Sequence, residues 1–435
     1  MSQDRLLDDE TADSVAATAF AAYSRCPSKT KPTTRPDGTP EWTNLAAIVL
    51  LRATHQEQVC VALATGVKTT PDKTIRSAKG RILHDCHAEI LALRAFNRFL
   101  INECLKIQEN PSYLSRYIIV KNQQVTAPRS TSTGNNIKAR YSLDPEWRIC
   151  MVITEVPCGD ASMENLGAGI EENWSSGELD ETFPLRGRAY FAKLGVVRTK
   201  PGRSDAPLSL SKSCSDKLML RQLTSAIQSP ANLVIDPKNA YISTLLVPKD
   251  RLNCASFERA FGRAVGLLTS TNGNRYRDVR FRWATFRTPY EHSRDAAGEQ
   301  GKPSNVSLIY VLNGSTQAEA VIKGIRMGAK TGTAASASTV SRACLAEDVV
   351  KLLQAGPADS RRTYSELKKA DSERVRLKET VRQSLEGWQS TAEDEFALDE
   401  RVPSERAAQD GCRAGSEATA SSRPSPAKKP RKERS

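Results

Sequence analysis

Histidine and methionine are scarce in this 435-residue chain, with four and five copies, and aromatic residues make up only 6%. A function that needs a histidine can therefore draw on very few positions. No apolar run approaches the roughly 18 residues of a membrane-spanning helix, and no N-terminal signal peptide is apparent. The ten cysteines follow no regular pairing, which argues against a disulfide-stapled secreted domain and for reduced thiols in a soluble intracellular protein. What is abundant is positive charge. Sixty-three Lys and Arg face fifty Asp and Glu, and the net charge of +13 favours a polyanionic partner through counterion release and steering.

One of the four histidines begins the most informative stretch. Gly80-Arg81-Ile82-Leu83-His84-Asp85-Cys86-His87-Ala88-Glu89 leads into Ile90 to Leu100, where Ile90, Leu93, Phe96 and Leu100 recur with helical spacing. A helix starting here puts His87 and Glu89 at its mouth, the one place where residues two apart can share a target. The positive end of the helix dipole favours a thiolate there.

Two cysteine segments lie downstream. Pro157-Cys158-Gly159-Asp160-Ala161-Ser162 follows the strand-like run Ile149 to Thr154, and Lys212-Ser213-Cys214-Ser215-Asp216-Lys217 precedes a helical run. Catalytic zinc takes three protein ligands and keeps one position open to water, so His87, Cys158 and Cys214 can hold it. Glu89 is then free to carry the proton from water to a leaving nitrogen, the arrangement of the zinc deaminases. Cys60, Cys86, Cys104, Cys150 and Cys254 fit neither motif and are expected to be buried reduced thiols.

The cysteines stand 56 residues apart rather than in a Pro-Cys-x-x-Cys turn. With the His-Ala-Glu segment, Pro-Cys-Gly-Asp-Ala-Ser and Ser-Cys-Ser-Asp-Lys, the chain from about Ala47 to Trp388 resembles the adenosine deaminase domain shared by RNA-editing and eukaryotic tRNA adenosine deaminases. The resemblance implies an α/β fold, a three-layer α/β/α cytidine-deaminase-like sandwich with additional C-terminal helices. It divides the chain into an N-terminal helix and linker (1–43), a deaminase domain (44–390) and a disordered basic tail (391–435). It implies hydrolytic deamination of adenosine in RNA, with Glu89 catalytic and zinc on His87, Cys158 and Cys214.

The absence of a double-stranded-RNA-binding module points to the tRNA branch; the resemblance to that branch then implies adenosine 37, just 3′ of the anticodon of tRNA-Ala, as the target. Ser162 agrees, standing where editing enzymes carry a larger basic residue. The alternatives are an editor of double-stranded mRNA and, further off, a catalytically inactive RNA-binding relative. No obligate protein partner is evident, and the basic tail allows nuclear as well as cytoplasmic residence.

Other residue roles also come from the resemblance. Lys68, and Arg198 and Lys200 of the Arg198-Thr199-Lys200-Pro201-Gly202-Arg203 loop, would contact RNA phosphates; Arg186-Gly187-Arg188 adds to this basic loop. Arg94, Lys217, Tyr364, Lys368, Lys378 and Trp388 would line a cavity for inositol hexakisphosphate, although Leu93, Leu220 and Arg374 occupy places where the family carries Arg, Arg and Tyr.

Helices are expected over Thr11–Tyr23, Asp216–Ile227, Ser256–Leu267, Ser338–Leu353 and Tyr364–Trp388. Strands are expected over Leu45–Leu51, Val59–Ala64, Tyr117–Val120, Ala240–Val247, Val279–Phe286, Val306–Leu312 and Ala318–Gly324. Residues Lys121–Tyr141 read as a flexible insertion.

Overall fold

The computed structural model describes residues 7–52, 57–121, 139–164, 185–187, 193–202, 206–263, 266–267, 275–314, 317–353, 363–391 and 395–398. All lie within one compact unit, Met1–Asp399. Most of the expected insertion, Arg188, Arg203 and nearly all of the expected tail lie outside the described residues.

An eight-stranded mixed sheet organises the unit. Its strands are β1 (Leu45–Arg52), β2 (Glu57–Thr65), β3 (Trp147–Ile153), β4 (Ile242–Pro248), β5 (Arg282–Phe286), β6 (Val306–Val311), β7 (Ala318–Ile322) and β8 (Ile325–Arg326), in the order β5-β4-β3-β1-β2-β6-β7-β8. β5, β4 and β3 run parallel, and from β3 onward each neighbour is antiparallel. The central strand β1 is apolar at nearly every position because both its faces are covered. Ala46, Ile48 and Leu50 enter one core, and Leu45, Ala47, Val49 and Leu51 the other.

The two cores are closed by different helices. α1 (Asp9–Ser24) packs Val15, Ala16, Ala19 and Tyr23 against the second core, so the N-terminal helix is an integral part of the unit. The first core takes α2 (Ala88–Glu109), α3 (Cys214–Thr224), α4 (Cys254–Gly262) and α5 (Arg342–Leu352). Each fully buried Leu, Ile or Phe contributes about 1.5–3 kcal/mol.

The expected helix over Tyr364–Trp388 is two helices, α6 (Tyr364–Lys369) and α7 (Ser372–Gln383). Asp371 divides them. Its carboxylate accepts from the Arg374 amide at 3.0 Å as the cap of α7, and also from Tyr276 and Asn232. Trp388 falls beyond α7, after Gly387 at φ +82°. The helix expected from Ser338 starts at Arg342, because the Ser338 hydroxyl and the Thr339 amide bind Glu319. The helix expected over Ser256–Leu267 runs Cys254–Gly262, which leaves Cys254 at its first turn and exposed, against the expectation of a buried thiol.

Candidate metal and catalytic centre

The site forms where β2 and β3 end beside the start of α2. Past β2 the chain turns at Gly66 (φ +147°), where a Cβ would lie 2.1 Å from the Cys86 carbonyl oxygen and 2.4 Å from Ser307 Oγ. Only glycine fits there. The Gly66 carbonyl accepts from the Ala88 amide at 2.9 Å, and Val67–Thr69 pairs antiparallel with Asp85–His87. His87 is therefore the N-cap residue of α2 and Glu89 lies in its first turn, as the sequence pattern requires.

Cys158 follows β3 on a turn whose Gly159 (φ +101°) abuts Ser213; a Cβ would sit 2.2 Å from Ser213 Oγ. Ser213 caps α3, accepting from the Asp216 amide at 3.1 Å, so Cys214 is the first residue of that helix. Two helix N-termini thus converge on the thiols.

His87, Cys158 and Cys214 each offer a ligand atom, and the three lie within 4.8 Å of one another. Cys158 Sγ is 3.7 Å from His87 Nδ1 and accepts from the Cys214 amide at 3.4 Å. The Cys214 thiol hydrogen-bonds to Cys158 and, with Lys200 and His87, holds Cys158 well below the ordinary cysteine range. Burial and that neighbouring sulfur push Cys214 up. The trio can hold a metal ion, which would remove the remaining thiol proton. Glu89 is buried, and burial raises its pKa, with Cys158 adding and His87 and Lys200 opposing. A carboxyl raised in this way can both accept and give up a proton.

The two loop cations expected on RNA are elsewhere. Lys200 is 3% exposed, and its ammonium donates to both oxygens of Asp85 at 2.8 Å and to Cys214 Sγ at 3.2 Å. Burial alone would lower its pKa; Asp85 and the two thiols outweigh that and raise it. Arg198 is fully buried, donating to the Lys193 carbonyl at 2.7 Å and the Gly187 carbonyl at 3.1 Å. Neither can reach a phosphate without breaking these contacts, so both are structural. Composition marked the loop as basic, but Arg198 is held by carbonyls five and eleven residues away and Lys200 by a carboxylate 115 residues away. Lys68 lies half-buried on the Val67–Thr69 strand.

A second cluster gathers behind the site. Lys217 donates to Asp85 and, at 2.6 Å, to Ser211 Oγ. Lys212 Nζ lies 5.7 Å from the Trp388 ring centroid, and burial followed by Lys217 and Arg382 lowers its pKa to about 8. Burial, then Arg374 and Arg94, lowers Arg221 to about 9, and burial lowers Arg94 to about 10, with Tyr364 opposing and Arg342 adding. Lys378 is pushed well below its usual range by burial and then by Arg374, Arg221, Lys368 and Arg382. Arg94 Nε donates to the Val340 carbonyl at 2.8 Å, Tyr364 stacks on Phe396 at 4.9 Å, and Lys368 is exposed on α6.

Leu93 and Leu220, where the resemblance expected arginines, pack in the core, and the arginines Arg94 and Arg221 stand one residue later. Sequence comparison by motif position missed Arg221, Lys212 and Arg382. It also missed Asp85, which lies two residues before His87 and joins the two clusters.

The comparisons with known proteins agree with this geometry. The sequence profile of the adenosine-deaminase (editase) domain matches residues 62–391, and the chain belongs to that family. The tRNA-specific adenosine deaminase 1 of Schizosaccharomyces pombe is 33% identical over 375 residues, covering 84% of this chain and 91% of that protein. The protein of the same name from Saccharomyces cerevisiae is 34% identical over 255 residues, 55% of this chain and 59% of its own length. A double-stranded RNA-specific adenosine deaminase of Rattus norvegicus is 25% identical over 173 residues, 39% of this chain and 13% of that protein.

Proposed function

We propose that the chain is a zinc-dependent deaminase that converts adenosine to inosine in tRNA, at the adenosine just 3′ of the anticodon. The observation that carries the reading is the buried Glu89 beside the His87, Cys158 and Cys214 trio, inside a domain similar along most of its length to a tRNA-specific enzyme. The sheet with α1 on one face and α2 on the other supports the three-layer α/β/α arrangement.

His87, Cys158 and Cys214 would hold the zinc, with the fourth position open. A zinc ion there would supply an activated water. Glu89, buried beside the trio, would carry a proton from the attacking water to the leaving amino group, so that adenosine and water become inosine and ammonia. A loop adenosine suits the site because its base is already partly unstacked and flipping costs less. Lys68, on the strand that pairs with Asp85–His87, is the remaining candidate for a backbone phosphate.

The second cluster fits a polyphosphate such as inositol hexakisphosphate. Among the described residues, Nε and Nη1 of Arg221 and Nε of Arg374 and Arg382 are buried without a hydrogen-bond partner. Arg374 donates its other nitrogens to the Thr224 and Ile227 carbonyls at 2.7 Å and Arg382 lies 3.7 Å from Glu379, so the strain falls on Arg221, whose buried charge an anion would satisfy. Arg94, Lys217, Lys368, Lys378, Tyr364 and Trp388 would surround it together with Arg221 and Lys212. These cations, on and around α3 and α7, would hold such a polyanion and gain counter-charge from it.

The test is inosine formation in total tRNA incubated with the purified chain, read by sequencing as A-to-G changes, with Glu89→Ala alongside. One changed position beside an anticodon, absent with the variant, is the expected result. Modification of long duplex RNA with all tRNAs unchanged would instead assign the chain to duplex editing.

A further inference from the structure

Each cysteine motif carries an aspartate two residues past its thiol: Asp160 after Cys158, and Asp216 after Cys214. Both carboxylates are fully buried. A single helix reaches both. On α4, Arg259 Nε lies 3.2 Å from Asp160 Oδ2 and its Nη2 donates to the Asp160 carbonyl at 2.9 Å. Four residues on, at the C-cap of α4, Arg263 Nη2 donates to Asp216 Oδ1 at 2.8 Å. Residues four apart lie on one helix face, so the two guanidinium groups form a pair with fixed spacing.

The other carboxylate oxygens are also occupied. Asp160 Oδ1 accepts from the Gly195 amide at 2.8 Å, and Asp216 Oδ2 from the Arg198 amide at 3.0 Å and from the Ser213 hydroxyl. α4 is itself anchored, with Phe257, Ala260 and Phe261 in the core and Asn253 capping it through the Ser256 amide at 3.0 Å.

In a Pro-Cys-x-x-Cys turn the backbone between two ligands fixes their separation. Here the cysteines stand 56 residues apart, so no short turn links them. Among the described residues the direct ties between the segments converge on Ser215 and Cys214: the Ser215 amide and hydroxyl donate to the Cys158 carbonyl, each at 3.0 Å, the same hydroxyl to the Pro157 carbonyl at 3.0 Å, the Ala161 amide to that hydroxyl at 3.2 Å, and the Cys214 amide to Cys158 Sγ.

We propose that Arg259 and Arg263 are positioning residues, a two-arginine splint on α4 that sets the distance between the Cys158 and Cys214 thiols. The proposal rests on the reading of that trio as a zinc centre. The splint touches neither substrate nor reacting atoms, and acts on the metal by holding the two ligand turns in register.

The experiment uses the full chain carrying Arg259→Gln, Arg263→Gln or both, their Lys counterparts, and Phe257→Leu as a control that loosens α4 without touching either aspartate. Zinc per chain, the rate of zinc transfer to a chromogenic chelator, and the absorption bands of the cobalt(II)-loaded protein are measured beside thermal stability. The double Gln variant is expected to release zinc about tenfold faster, the low end of the ~10–100-fold by which groups bonded directly to metal ligands act, since the splint works one contact further out, with altered cobalt bands. Its kcat falls while KM for tRNA holds. The Lys variants recover part of this, since lysine keeps the charge and loses the planar fork. Zinc release within about twofold of wild type with unchanged cobalt bands overturns the splint, as does equally fast release from Phe257→Leu at matched thermal stability. A wild-type chain that takes up no stoichiometric zinc overturns the metal reading and the splint with it.

Discussion

The Lys200 ammonium lies 2.8 Å from both oxygens of Asp85 and, on its other side, 3.2 Å from Cys214 Sγ. One buried cation thus ties the carboxylate before the His87 strand end to a candidate metal ligand. Lys217 binds the same carboxylate from the side of the basic cluster.

Asp85→Asn would leave two ammonium groups without their counter-charge. Breaking a buried pair costs about 3–5 kcal/mol. Urea unfolding of the variant is expected to show a loss of that order at neutral pH. Asp85 is held well below the usual carboxylate range: burial opposes this, and Lys200, Lys217 and His87 together outweigh it. Its stabilising contribution is therefore present above the ordinary carboxylate pKa and lost as pH falls through the depressed one.

Glu89→Gln keeps the shape and removes the proton carrier. General acid–base groups contribute about 10²–10⁴-fold, and kcat is expected to fall by at least that range while zinc content stays at one per chain. Because burial raises Glu89, the acid limb of the wild-type kcat/KM profile is expected above the ordinary glutamate range.

His84 gives a separate pH signature. Its Nε2 sits 2.8 Å from Asp72 Oδ1 and 3.0 Å from Ser209 Oγ, and burial followed by Lys217 lowers its pKa to about 4, against Asp72 and Asp85. The folded state disfavours the proton that the unfolded state accepts near 6.5, so stability rises with pH between about 4 and 6.5. Unfolding free energies at pH 5 and pH 7 should differ less in His84→Asn than in wild type.

The basic cluster predicts a linkage to polyanion. Without an anion, a lysine held at about 8 sheds its proton earlier than the unfolded chain does near 10.5, so folding is favoured as pH rises through that window. Added inositol hexakisphosphate supplies the missing counter-charge. The gain in thermal stability on adding it is expected to be larger at pH 7 than at pH 9, and smaller in Arg221→Met and Lys378→Met.

Lys68→Ala is expected to raise KM for tRNA with kcat little changed, and to lower the slope of log affinity against log salt by about one, the mark of one lost phosphate contact. An unchanged slope would remove Lys68 from the interface.

The sequence by itself determined the candidate chemistry. The His-Ala-Glu mouth of α2 and two cysteines after Pro and Ser are local signals, since a helix start and its cap are set by neighbouring residues. The apolar run of β1 likewise reads as a strand buried on both faces. Tertiary structure alone decided which charges face solvent. Arg198 and Lys200 look like an RNA-binding loop until the chain folds back on Arg198 through the Lys193 and Gly187 carbonyls and the carboxylate of distant Asp85 takes Lys200. Arg221 lies beside Arg374 and Arg94 while Leu220 packs in the core, because helical rotation decides which side chain enters the cluster. The pairing of Arg259 with Asp160 and Arg263 with Asp216 joins α4 to two separate turns. No local pattern encodes such a contact, because its partners meet only after the sheet and helices have packed.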